Sequence, residues 1–164
     1  MSIAIRNMTP QAFDAFYQWS KDNYIKDLMQ QKNLTPEEAA RVAAQELAMM
    51  LPQGLQTENQ QMMSIMDGDQ VAGYIWTLYE LTEGKKQCFL CDLAVWEKYR
   101  RRGYAAQALR LMEAQAAKDG CLESVLFVAD SNYAARKLYE KAGYRELRQS
   151  NCGNYMIKEL RTDL

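Results

Sequence analysis

The sequence has no histidine, which removes the commonest metal ligand and the commonest general base. Zinc hydrolases and Ser-His-Asp hydrolases are thereby excluded. Long apolar runs are missing as well. No stretch approaches the roughly 18 residues that a membrane span needs, and the opening residues, M-S-I-A-I-R-N-M-T-P, lack the apolar core of a signal peptide. A cytoplasmic protein with no membrane partner is expected. Neither sign of charge dominates: 20 Lys and Arg stand against 21 Asp and Glu, for a net charge of -1. No global field therefore draws in nucleic acid, and any anion binding must be local. Cysteine is sparse too. Cys88, Cys91, Cys121 and Cys152, in a chain without an export signal, are expected to be reduced thiols. Cys88 and Cys91 form a C-x-x-C within an expected strand, where residues three apart point to opposite faces. That spacing argues against a shared metal or a disulfide, and no metal site is expected.

At 164 residues and 48% hydrophobic content, the chain has room for one domain, 1–164, with a sizeable core. Ser2 to Arg6 reads as a first strand. Thr9-Pro10 starts a helix whose apolar face carries Phe13, Phe16 and Tyr17. Thr35-Pro36-Glu37-Glu38 is a capping box opening a second helix, which runs through Val42, Leu47 and Met50 and stops at Pro52. Leu51 to Gln60 reads as a loop. Met62 to Met66 and Val71 to Glu80 form a hairpin around Asp67-Gly68-Asp69. Gln87 to Val95 is a third strand, and a helix follows from Gly103 to Lys118. Leu122 to Val128 reads as a buried strand, and Asp130-Ser131-Asn132 caps a helix that Gly143 ends. Tyr144 to Gln149 and Tyr155 to Leu160 complete the set. The order βαα-βββ-α-β-α-ββ implies an α/β (α+β) sandwich around one mixed sheet.

The densest chemistry lies between Leu93 and Ala105, L-A-V-W-E-K-Y-R-R-R-G-Y-A, an apolar strand leading through a cationic turn into a helix. Free N–H groups at a helix start carry partial positive charge and bind anions. Gly103 lets the backbone come close to such an anion. Arg100, Arg101 and Arg102 sit where cations are disfavoured by up to ~1 kcal/mol, and a bound polyanion would account for all three. Alone, the cluster reads equally well as a solvated basic turn. Further on, Asn132, Arg136 and Tyr139 fall at i, i+4 and i+7 on one helix stripe, beside an apolar stripe of Ala135, Leu138 and Ala142. One stripe packs and the other faces something polar.

Together these segments resemble the GNAT superfamily of acetyl-coenzyme A-dependent N-acyltransferases, over essentially the whole chain. Arg100-x-x-Gly103-x-Ala105 is similar to the family's Q/R-x-x-G-x-G/A pyrophosphate loop. Asn132 to Tyr144, N-Y-A-A-R-K-L-Y-E-K-A-G-Y, is similar to its N-x-x-A-x-x-L-Y-x-x-x-G-F signature, with Tyr144 for the usual phenylalanine. L-P-Q-G-L-Q-T, before the hairpin, resembles a subgroup of small bacterial acetyltransferases. The resemblance implies a mostly antiparallel mixed sheet with helices on both faces, and acetyl-CoA as cosubstrate. It implies that the backbone of Leu93, Ala94 and Val95 holds the pantetheine arm, and that Arg100, Arg101, Arg102, Gly103, Tyr104 and Ala105 hold the pyrophosphate. Asn132 is then placed to contact the pantetheine or nearby backbone, with Arg136 on its stripe also toward the cofactor, and Tyr139 to act as general acid toward the departing thiolate. The side chains of Leu93 and Val95 read as core.

Direct transfer brings a neutral amine onto a thioester carbon, and the enzyme must align the reactants and stabilise the developing oxyanion. An alkylamine is protonated at neutral pH, so something must take its proton. Without histidine the acceptor is a carboxylate, a tyrosine or a water. Asp92, immediately before L-A-V, is the first candidate, and Glu80, at the end of the preceding strand, the second. Each is otherwise a solvated strand-end carboxylate. Nothing near Cys91 in sequence would activate it as a nucleophile, and it reads as core. The expected partner is an amine acceptor, small molecule or peptide, with no nucleic acid, because no basic face or stacking aromatics accompany the arginine turn. Sheet-edge pairing into a homodimer suits this architecture. The alternative reading is a non-catalytic module that senses CoA or acyl-CoA.

Overall fold

The computed structural model describes residues 2–160. They form two compact units, one of residues 8–58 and one of residues 2–7 with 59–160. The element order is the expected one: β1 (Ala4–Asn7), α1 (Pro10–Lys32), α2 (Pro36–Met50), β2 (Gln60–Asp67), β3 (Gln70–Thr82), β4 (Lys85–Val95), α3 (Tyr104–Lys118), β5 (Glu123–Ala129), α4 (Tyr133–Lys141), β6 (Arg145–Gln149) and β7 (Gly153–Glu159).

In the smaller unit both helix starts are built as the sequence suggests. Thr9 Oγ1 accepts a hydrogen bond from the Ala12 N–H at 3.1 Å. At α2 the capping box closes in both directions, with Glu38 N–H donating to Thr35 Oγ1 (3.2 Å) and Thr35 N–H to Glu38 Oε1 (3.1 Å). Asn33 ends α1 in the left-handed conformation, φ 53°, which asparagine tolerates better than most residues. Leu28, Ala39 and Ala43 are buried together where α1 meets α2.

The larger unit is a seven-stranded sheet in the order β1-β2-β3-β4-β5-β7-β6. Every pair is antiparallel except β4 with β5, because α3 crosses between those two strands. Helices α3 and α4 lay Leu109, Met112, Ala116, Leu138 and Tyr139 on one face of the sheet, against Ile75, Leu90, Leu126, Val128 and Met156. The β2–β3 hairpin turns through Gly68 and Asp69, with Asp67 opposite Gln70 and Gly68 at φ 61°. Strand β2 begins at Gln60, inside the expected loop. Its polar start is held by side chains across the ladder: Trp76 Nε1–H donates to Gln60 Oε1 (2.6 Å) and Thr77 Oγ1–H to Gln61 Oε1 (2.9 Å).

The register of β3 on β4 slips once. Trp76 faces Asp92 while Thr77 faces Leu90, so Cys91 is the extra residue of a β-bulge. The bulge reverses the side-chain alternation of β4. Leu93 therefore returns to the face of Cys88 and Leu90 and packs on the core, and Asp92 and Ala94 point the other way.

Candidate functional site

Between β4 and α3 the chain makes a single 3-10 turn, Glu97–Tyr99, and then the arginine loop. Arg101 (φ 67°) and Gly103 (φ 76°) are both left-handed. That conformation costs a non-glycine residue roughly 1–2 kcal/mol and suits glycine without strain. A Cβ on Gly103 would meet nothing nearer than the Gln107 amide, 4.0 Å away. Glycine is thus needed for its dihedral angle, and the backbone faces open space. Three of the α-helices carry a side-chain cap, on Thr9, Thr35 and Asn132, but α3 has none. Its first-turn N–H groups are left to an external acceptor. A cleft of about 180 Å³ lies there, lined by Val95, Arg101, Gly103, Ala105, Ala106 and Leu138, among others.

The three arginines diverge. Arg100 Nε–H donates back to the Val95 carbonyl at 3.0 Å, tying loop to strand. Arg101 is exposed at the cleft. Arg102 turns toward the β2–β3 hairpin, with Nη1 3.8 Å from Asp67 Oδ2 and its guanidinium 5.5 Å above the Tyr99 ring. Tyr104 is buried: its ring stacks on Tyr99 at 6.4 Å and its hydroxyl donates to Asp67 Oδ2 at 2.7 Å. Its side chain fastens the loop, while its backbone begins the helix.

Strand β4 supplies the other wall. Its parallel ladder with β5 runs only from Gln87 to Leu90, against Glu123 to Leu126, whereas its ladder with β3 continues to Val95 opposite Gly73. Past the Cys91 bulge, Asp92 to Val95 therefore diverge from β5 and leave a splay. Gly73 is a steric requirement there, since a Cβ would lie 2.1 Å from the Ala94 carbonyl oxygen. Asp92 is held twice: Oδ1 accepts from the Leu93 N–H (2.9 Å) and Oδ2 from the Tyr74 hydroxyl (2.5 Å). Tyr74, which no sequence pattern singled out, thus holds Asp92, and Asp67, read from the sequence only as a hairpin residue, holds the arginine loop.

Helix α4 approaches from the same side as α3. Asn132 is its N-cap, with Oδ1 accepting from the Ala135 N–H at 3.1 Å. Arg136 pairs with Glu140 at 3.6 Å, and in the orientation of the Asn154 amide that suits its neighbours Nη1 donates to the amide oxygen at 2.9 Å. Tyr139 does not share their polar surroundings: it is 9% exposed and packs edge-on against Tyr144, 5.9 Å away. Burial, and then the charge of Asp92, push its phenol up to about 12. Tyr139 thus feels the charge of Asp92, the carboxylate that Tyr74 holds. Glu80 stands apart, exposed and opposite Gln87. Cys91 is pushed up to about 12 by burial and by the charges of Asp92 and Glu80, so it carries a thiol at neutral pH. Among the described residues no group of three or more Cys, Asp or Glu is placed to hold a metal ion, and no helix is long and apolar enough to cross a membrane.

Comparison with known proteins agrees with this geometry. The model of the acetyltransferase (GNAT) family matches residues 13–144. The uncharacterized N-acetyltransferase YycN of Bacillus subtilis (strain 168) is 29% identical over 147 residues, 89% of this chain and 94% of its own. A second from the same organism, YdgE, is 28% identical over 145 residues, 88% of this chain and 92% of its own. The crystal structure of YycN superposes with a TM-score of 0.83 at 27% identity, covering 91% of this chain and 96% of that one. The chain belongs to the GNAT acetyltransferase family and is an acyltransferase.

Proposed function

We propose that the protein transfers an acetyl group from acetyl-CoA directly to a primary amine, on a small molecule or a peptide, and that residues 1–164 act as one domain. The family match runs from residue 13 to residue 144, across both compact units, which supports the second point. The observation that carries the first is a protonated phenol, Tyr139, that feels the charge of a carboxylate, Asp92, at a splayed strand followed by an uncapped helix start.

The residues present fit the cosubstrate. Its diphosphate suits the open N–H groups of Tyr104, Ala105 and Ala106, with Arg100 and Arg101 at the cleft, while Arg102 and the Tyr104 ring brace the loop through Asp67. The pantetheine arm suits the splayed edge of Leu93, Ala94 and Val95. Asn132 and Arg136 shape α4 at the far side of the splay. When bound, acetyl-CoA supplies an activated acyl carbon and a thiolate leaving group. Asp92 takes the proton of the acceptor ammonium, directly or through water. Tyr139 keeps its proton on Oη until a thiolate forms nearby, because its phenol is held near 12. Backbone N–H groups of the strand other than that of Leu93 would stabilise the developing oxyanion. Two proteins of the same fold add support: PaiA N-acetyltransferase of Thermoplasma acidophilum is known in complex with coenzyme A (TM-score 0.73, 16% identity). The spermidine N-acetyltransferase of Vibrio cholerae is known with CoA and spermine (TM-score 0.69, 13% identity).

The test is thiol release from acetyl-CoA by the purified protein against polyamines, aminoglycosides, amino acids and peptides. Tyr139→Phe should lose most of the turnover, roughly 10²-fold or more for a general acid, with CoA affinity kept. CoA binding without thiol release to any acceptor would replace this reading by that of a sensor.

A further inference from the structure

We infer that Tyr74 is the positioning residue of the proton acceptor: its hydroxyl and the Leu93 N–H together hold the Asp92 carboxylate in one orientation. The inference rests on the reading of Asp92 as proton acceptor. It begins with the Cys91 bulge. Without that extra residue Asp92 would share the face of Leu90 and lie in the apolar core. With it, Asp92 stands opposite Trp76, and Tyr74 stands opposite Ala94, two residues further along the same face. Tyr74 and Asp92 are therefore diagonal neighbours, a spacing that a long aromatic side chain spans.

The donor is rigid. Tyr74 is 1% exposed and its ring packs against Trp96 at 5.7 Å with the planes at 57°, so the phenol has no room to swing away. At 2.5 Å its O–H donates to Oδ2 in a short charge-assisted bond, and at 2.9 Å the Leu93 N–H fixes Oδ1. A carboxylate held at both oxygens has lost the rotations about its two side-chain bonds. The same contacts separate two phenols by role. Tyr74 is spent in orienting Asp92, whereas Tyr139 feels Asp92 through its charge and retains its own proton for use. The Leu93 N–H, being committed to Asp92, is also removed from the set of strand groups that can bind a ligand, so any carbonyl held by this strand falls to the other groups of Asp92 to Val95.

Tyr74→Phe keeps the buried ring and deletes only the hydroxyl. Thiol release from acetyl-CoA, with the fastest amine of the panel or with water where none is faster, should fall about tenfold in kcat, the scale of one hydrogen bond to a charged group. The KM for acetyl-CoA should stay within about twofold. The decisive readout is a double-mutant cycle: in an Asp92→Asn background, Tyr74→Phe should add no further loss. A Tyr74→Phe enzyme of full kcat, or a loss that repeats undiminished in the Asp92→Asn background, overturns the inference while leaving Asp92 as acceptor. An Asp92→Asn enzyme of full turnover overturns the acceptor reading itself, and the inference with it. Trp fluorescence melts of each variant separate misfolding from loss of orientation. Should Tyr74→Phe melt early, Asp92→Glu reads the same lock from its other end and should lose kcat with KM kept.

Discussion

Tyr104, the first residue of α3, reaches back to donate a 2.7 Å hydrogen bond to Asp67, the last residue of β2. The same Asp67 oxygen lies 3.8 Å from Arg102 Nη1. A hairpin carboxylate thus clamps a loop two strands away in the chain. The ion pair is half-exposed and worth at most ~1 kcal/mol, and the hydrogen bond about another 1 kcal/mol. Asp67→Ala removes both, and the arginine loop then pays in entropy to adopt its left-handed turns when a diphosphate binds. The KM for acetyl-CoA should rise about five- to tenfold with kcat unchanged, measured by thiol-release kinetics at saturating acceptor. An unchanged KM would show that the loop holds its shape without the clamp.

Much of this architecture is legible in the sequence because its signals are local. Thr9-Pro10 and Thr35-x-x-Glu38 cap their own helices, Gly68 forms its own turn, and Arg100 to Ala105 form one continuous loop. What escapes is what depends on a partner strand. Gln60 and Gln61 look like loop residues until Trp76 and Thr77 bond them. The Cys91 bulge has no sequence mark, since its cause is a register shift against β3, and with it escapes the pairing of Tyr74 with Asp92. The stripe of Asn132, Arg136 and Tyr139 does not keep to one polar surface: Tyr139 is buried in the core, Arg136 is half-buried, and Asn132, the N-cap, is exposed.

The raised phenol of Tyr139 gives a pH dependence of definite sign. Its proton is held to about 12 in the folded protein, against 10.0 for an ordinary tyrosine, so it remains a donor throughout the usual assay range. No alkaline loss of kcat below about pH 11 should come from this residue. Below pH 10 both folded and unfolded chains keep the proton and stability is undiminished. Between pH 10 and 12 the unfolded chain releases it first, and folding stability falls. Cys91, raised from 9.0 to about 12, acts with the same sign and opens that window from pH 9. Urea melts at pH 8, 10 and 11 should show the midpoint lower at pH 10 than at pH 8 and lower again at pH 11, and Tyr139→Phe should reduce the fall. A midpoint independent of pH over that range would contradict the burial of these groups.

The strongest stability test lies away from the splay, where Lys158 of β7 bonds Glu113 of α3. The distance is 2.7 Å, and the side chains are 28% and 9% exposed. The second carboxylate oxygen, Oε2, is buried with no hydrogen-bond partner among the described residues. Lys158 is therefore the cation that compensates a nearly buried charge, and Lys158→Met would strand it. Removing one member of a buried pair costs about 3 kcal/mol or more, which for a protein of this size lowers Tm by roughly 6–12 °C. Replacing both members, Glu113→Leu with Lys158→Met, removes the stranded charge and leaves apolar groups of similar volume, so most of the lost Tm should return. Thermal melts of the three proteins measure this directly. A single variant that melts with the parent, or a double variant no better than the single, would mean that water reaches Glu113 and that the α3–β7 contact does not depend on this pair.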